Sequence, residues 1–143
     1  MRKTTRFAHK KGFTCHQCQR WVAINKLMGT RYRNHCPFCL FSQHIKLPCH
    51  GLMKPLALTF KKEGEDKYGQ PRQGELMLVH QCQKCFLTSI NRLAADDDPQ
   101  EVLRLFDRSL KSEEISFLKE EGVLPLKEED RGQVMTQLFG KTT

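Results

Sequence analysis

Arg33-Asn34-His35-Cys36-Pro37-Phe38-Cys39-Leu40 decides how this chain is read. Cys36 and Cys39, three positions apart with a proline directly after the first thiol, have the spacing of a zinc knuckle, a tight turn that faces two sulfurs toward one ion. A second pair, Cys15 and Cys18, lies upstream with 17 residues between the pairs. That interval is one a four-cysteine zinc site spans.

Cys82 and Cys85 form a third pair, and Cys49 is the seventh thiol. The simplest partition puts Cys15, Cys18, Cys36 and Cys39 on one zinc ion and Cys49, Cys82 and Cys85 on a second. A structural zinc site is tetrahedral and closed, so the second site needs one histidine. His44, between Cys39 and Cys49, is the expected ligand, because one segment then serves both ions. His80, just ahead of the Cys82 pair, competes, and His35 and His50 stay open; His9 and His16 read as surface residues. Crossed ligation between the two sites is a further alternative.

With 143 residues the chain suits one domain, or a small domain with an appended helical segment. Its 38% hydrophobic content is below the usual ~45–50%, and metal crosslinks would substitute for the missing core. Seven cysteines without a signal-peptide pattern imply a reducing compartment and metal ligation rather than disulfides, so a cytoplasmic location is expected. No apolar run is long enough for a membrane span.

The net charge of +8 conceals a division. Residues 1–93 carry 17 Lys and Arg against 4 Asp and Glu, and residues 94–143 carry 7 against 12. A basic, metal-bearing part with a polyanionic partner is expected, followed by an acidic part suited to solvent or to a protein partner.

Residues 1–12 read as a flexible basic arm. Phe13 to Cys18 predicts a short strand entering the first knuckle, with Trp21 to Ile24 returning from it. Lys54 to Phe60 and Glu75 to His80 read as paired strands, joined by a loop rich in Gly, Pro and charge. Asp98 before Pro99 is a helix start, with Val102, Leu105, Phe106 and Leu110 on one face. A second helix is expected from Ser112 to the stop at Gly122, with Ile115 and Leu118 inward, and a third from about Asp130 to Phe139. The fold class is thus small α+β, a zinc-ribbon-like β-hairpin module with two knuckle sites followed by short C-terminal helices.

The stretch quoted first, with Ser42 and His44 behind it, resembles the signature of the RNHCP domain family. Other matching features are Phe13 with Cys15 and Cys18, then Cys49 with Gly51, Met53 and Pro55. His80 with Cys82 and Cys85, and Asn91-Arg92 with Ala94, Asp96 and Asp97, complete them. The resemblance covers about residues 13–98 and implies a zinc-binding module, with residues 99–143 outside it. The chain departs from the family pattern at Ile45-Lys46, where a Val-Asp pair is usual, and at Phe86, where a Gly is usual.

The function expected is non-enzymatic binding of structured RNA, on the ribosome or another translation-related particle, by a monomer carrying two zinc ions. Lys10, Lys11, Arg20, Arg31 and Arg33 would contact phosphates, and Trp21 or Tyr32 would stack on a base. A DNA-binding or transcription-associated zinc adaptor is the alternative, although no basic recognition helix is apparent. A zinc hydrolase or nuclease is a further one, but no Glu follows a histidine in the deaminase pattern.

Overall fold

A computed structural model describes residues 12–24, 35–43, 49, 51–61, 74–94 and 96–140. The first unit is a small antiparallel hairpin of β1 (Gly12–Thr14) and β2 (Trp21–Ala23), with Phe13 opposite Val22 and Thr14 opposite Trp21. Gly12 is required by a close approach. A Cβ there would lie 2.1 Å from the Val22 carbonyl oxygen and 2.8 Å from Cζ2 of the Trp21 ring.

The second unit is a four-stranded antiparallel meander of β3 (Ser42–Gln43), β4 (Leu52–Phe60), β5 (Leu76–Cys82) and β6 (Thr88–Arg92), in that order across the sheet. Pro55 sits inside β4, where a backbone donor is missing, and the ladder to β5 shifts register between Pro55 and Ala57. The edge of β4 beyond the two-residue β3 is covered by the chain at 124–126. The Leu126 amide donates to the Leu58 carbonyl at 2.9 Å, and the Thr59 hydroxyl donates to the Leu124 carbonyl at 2.8 Å.

Helix α1 (Pro99–Leu110) starts as its sequence dictates. Asp98 caps it by accepting from the Gln100 amide at 2.9 Å, and Pro99 occupies the first turn, where its missing N–H costs nothing. Val102, Leu105 and Phe106 are fully buried against Leu58, Leu76 and Leu78 on one face of the sheet. Burial of side chains of this size stabilises by about 1.5–3 kcal/mol each. Helix α2 (Arg131–Phe139) adds Val134 to the same core. On the opposite face Leu118 and Val123 pack on Leu56, Ala57 and Val79.

The acidic C-terminal part therefore supplies both faces of the sheet with their cover. The helix expected from Ser112 to Glu121 is instead a six-residue 3-10 turn, Ser116–Glu121, ended by left-handed Gly122 as expected. Ser112 accepts from the Glu114 amide, and the helical turn starts only at Ser116. No helix among the described residues is long and apolar enough to cross a membrane.

Candidate metal centres

Three turns of identical construction deliver six of the seven thiols. In each, the amide four residues after the first cysteine donates to that cysteine's carbonyl: Gln19 to Cys15 at 2.9 Å, Leu40 to Cys36 at 2.8 Å and Phe86 to Cys82 at 2.9 Å. In each, the first cysteine's own amide donates five residues on, to Arg20, Phe41 and Leu87. Closing so tight a turn forces positive φ on the residue after the second cysteine, and Gln19 (66°), Leu40 (69°) and Phe86 (67°) all adopt it. A left-handed conformation costs a residue with a Cβ roughly 1–2 kcal/mol. Leu40 is compensated by complete burial in the core, whereas Phe86 is 66% exposed.

The four sulfurs of Cys15, Cys18, Cys36 and Cys39 lie within 4.8 Å of one another. Cys15 to Cys39 and Cys18 to Cys36 are each 3.6 Å. Tetrahedral zinc with Zn–S bonds of about 2.3 Å would space its sulfurs by about 3.8 Å, so the four thiols fit the ion. Backbone amides aim at the sulfurs, from Gln17 and Cys18 onto Cys15 and from Phe38 onto Cys36. Burial alone would raise the Cys15 thiol, but the Cys18 and Gln17 amides and the neighbouring thiols outweigh it and bring it below its ordinary value. Burial pushes Cys36 up to about 11 and raises Cys39 as well. A metal ion must displace protons to occupy such a site.

Cys49, Cys82 and Cys85 form a second group with sulfurs within 4.8 Å, and Cys49 and Cys82 are 3.5 Å apart. The amides of Lys84 and Cys85 point at the Cys82 sulfur. Lys84 Nζ donates to the Cys49 carbonyl at 3.0 Å and ties the knuckle to the segment carrying the third thiol. Gly51 lets the two meet. A Cβ on it would lie 2.5 Å from the Cys82 sulfur and 3.3 Å from the Cys49 sulfur.

Two histidines weighed as the fourth ligand have other work. His80 is buried, donates from Nε2 to the Leu40 carbonyl at 2.6 Å, and accepts at Nδ1 from the Asn91 amide at 2.9 Å. Burial pushes it down to about 4, so the ring is neutral. His35 donates from Nε2 to Asp97 Oδ2 at 2.7 Å, with both side chains buried. Neither belongs to a cluster of ligand atoms among the described residues. His44 and His50 lie outside the described residues.

Of the side chains expected to contact RNA, the structure describes Arg20 and Trp21, which are consecutive in the chain at the start of β2. The Arg20 guanidinium sits 4.9 Å over the ring of Phe38, which is itself exposed, and Trp21 is 57% exposed. Lys10, Lys11, Arg31, Tyr32 and Arg33 lie outside the described residues. Sequence reasoning assigned no role to Phe38, Asn91 or Asp97. The motif containing Asn91 and Asp97 was visible, but its pairing with two histidines far upstream requires the folded sheet.

The RNHCP domain family matches residues 10–103, which include all seven thiols and both buried histidine partnerships. No curated protein and no solved structure matches the chain. With about two thirds of its length matched and its signature residues joined in one framework of cysteine clusters and buried histidines, the chain belongs to the RNHCP domain family.

Proposed function

We propose that this protein is a non-enzymatic, two-zinc module that binds structured RNA, on the ribosome or another translation-related particle. The observation that carries the reading is Arg20 stacked on exposed Phe38, a residue between two thiols of the first cluster, with exposed Trp21 next to Arg20 in sequence. A guanidinium over a ring and an exposed indole offer π-faces to unpaired bases and a charge to phosphate at once. The surplus of Lys and Arg over residues 1–93 supplies the sequence-independent attraction. A four-thiol centre leaves no coordination position for a substrate, which supports binding rather than catalysis at that ion.

Trp21 is the single tryptophan and reports on its own surface. Titrating the full zinc-loaded chain with a structured ribosomal RNA fragment should quench its emission, and added salt should reverse the effect. Arg20→Glu with Trp21→Ala should weaken binding by tenfold or more. Absence of RNA binding at low salt would sink the reading and leave a zinc adaptor for proteins.

A further inference from the structure

The third knuckle carries an apolar side chain where neither its turn nor its surroundings call for one. Phe86 occupies the left-handed position that Gln19 fills with a polar group and Leu40 turns into the core, yet its ring projects into water. Leu87 and Ile90, on and just after the same turn, are exposed as well. The strain at Phe86 is not repaid by full burial as it is at Leu40, and strained positions of this kind cluster at functional sites.

The charge around the ring names the partner. From residue 76 to residue 95 the chain contains no Asp or Glu, Lys84 stands on the turn itself and exposed Gln83 adds hydrogen-bonding capacity, while Arg92 farther along β6 pairs with Glu75 at 3.2 Å. Lys84, two positions before Phe86 on the same turn, donates to the Cys49 carbonyl at 3.0 Å. An exposed aromatic face on a turn that carries a lysine and no carboxylate suits an unstacked nucleobase and the phosphate that follows it.

We propose that Phe86, with Lys84, is a second nucleotide-stacking point on the third knuckle, separate from the Arg20, Trp21 and Phe38 platform on the first two. This rests on the RNA-binding reading above and extends it to a second contact on the same strand or fold of RNA. Phe86 stacks on a base, Lys84 meets the adjoining phosphate, and Leu87 packs against the sugar.

The test uses the full zinc-loaded chain with the single reporter moved, Trp21→Phe combined with Phe86→Trp. Titration with a structured RNA bearing a single-stranded uridine loop should quench the relocated indole and saturate with it. In the otherwise unaltered chain, Phe86→Ala should weaken RNA binding about tenfold with both metals retained, and Phe86→Trp should restore it. If the relocated indole is not quenched while Trp21 of the unaltered chain is, this inference fails and the RNA-binding reading stands. If neither indole responds, both fail. Full binding by Phe86→Leu would also overturn the proposal, because it would show an apolar contact of the kind a protein partner makes.

Discussion

His35 Nε2 donates to Asp97 Oδ2 at 2.7 Å across 62 positions of sequence, and the bond is buried from both sides. It links the residue preceding Cys36 to the foot of helix α1. The same carboxylate oxygen accepts the Ala94 amide at 2.8 Å, and the Asp98 amide next door donates to the Pro37 carbonyl at 3.0 Å. The first metal centre and the helical core are therefore held by a common set of buried polar contacts. Replacing Asp97 by Ala strands the His35 donor and the Ala94 amide together, and we predict a loss of about 2–4 kcal/mol. Denaturant unfolding of the metal-loaded protein measures it. Because Asp97 is not among the clustered thiols, metal content at low temperature should be unchanged; a loss under about 0.5 kcal/mol would show the pair to be incidental.

Gly51 separates the two centres experimentally. Its Cα faces two sulfurs of the second cluster, so a methyl group there must displace Cys82 or Cys49. Gly51→Ala should cut the metal bound from two ions to one while the four thiols of the first cluster stay protected from alkylation. Two tightly held ions in the variant would place the second metal elsewhere.

Arg131 joins the helices of the acidic part. Its guanidinium bonds Glu128 and Asp107, the latter at 2.7 Å, and lies 5.0 Å over the Phe106 ring. The hydrogen bond from Arg131 holds the Glu128 carboxyl below its ordinary value. A carboxylate whose folded pKa is depressed stabilises fully above its unfolded value, near 4.3, and the contribution is lost as pH falls through the lower folded value. Arg131→Ala should lower Tm by a few degrees at pH 7, by the same amount at pH 5.5, and by less below about pH 4. A gap that stays constant down to pH 3 would assign the effect to the stack on Phe106 alone.

The grouping of the seven thiols and helix α1 were legible because their signals are local. Cysteine spacing fixes a knuckle, and Asp98-Pro99 followed by a 3.6-residue apolar period fixes a helix with its start. Strand β6 went unread. Its residues Thr88 to Arg92 alternate weakly, and its pairing with β5 comes from the third knuckle, which reverses the chain by itself. The union of the acidic segment with the sheet was equally hidden. Charge pointed to a part facing solvent or a protein partner and left its packing open, yet Val102, Leu105, Phe106 and Leu118 bury completely against strands of the basic part. Deleting residues 99–143 would strip both faces of that sheet, so RNA binding is better dissected by point substitution than by truncation.

Phe86 provides the sharpest contrast between stability and binding. Its φ of 67° is one that glycine adopts freely and phenylalanine does not, and with 66% of the residue exposed little packing is forfeited by removing the ring. Phe86→Gly should therefore stabilise the fold, or at worst leave it unchanged. The relief of strain, roughly 1 kcal/mol or more, opposes the larger entropy that glycine gives the unfolded chain. Thermal unfolding with metal bound should give a Tm equal to or above that of the unaltered chain, while RNA affinity falls about tenfold through loss of the stacking face. Stability and binding would then move in opposite directions at one residue. A Tm several degrees lower would instead show that the ring packs on the knuckle in solution and is a structural group.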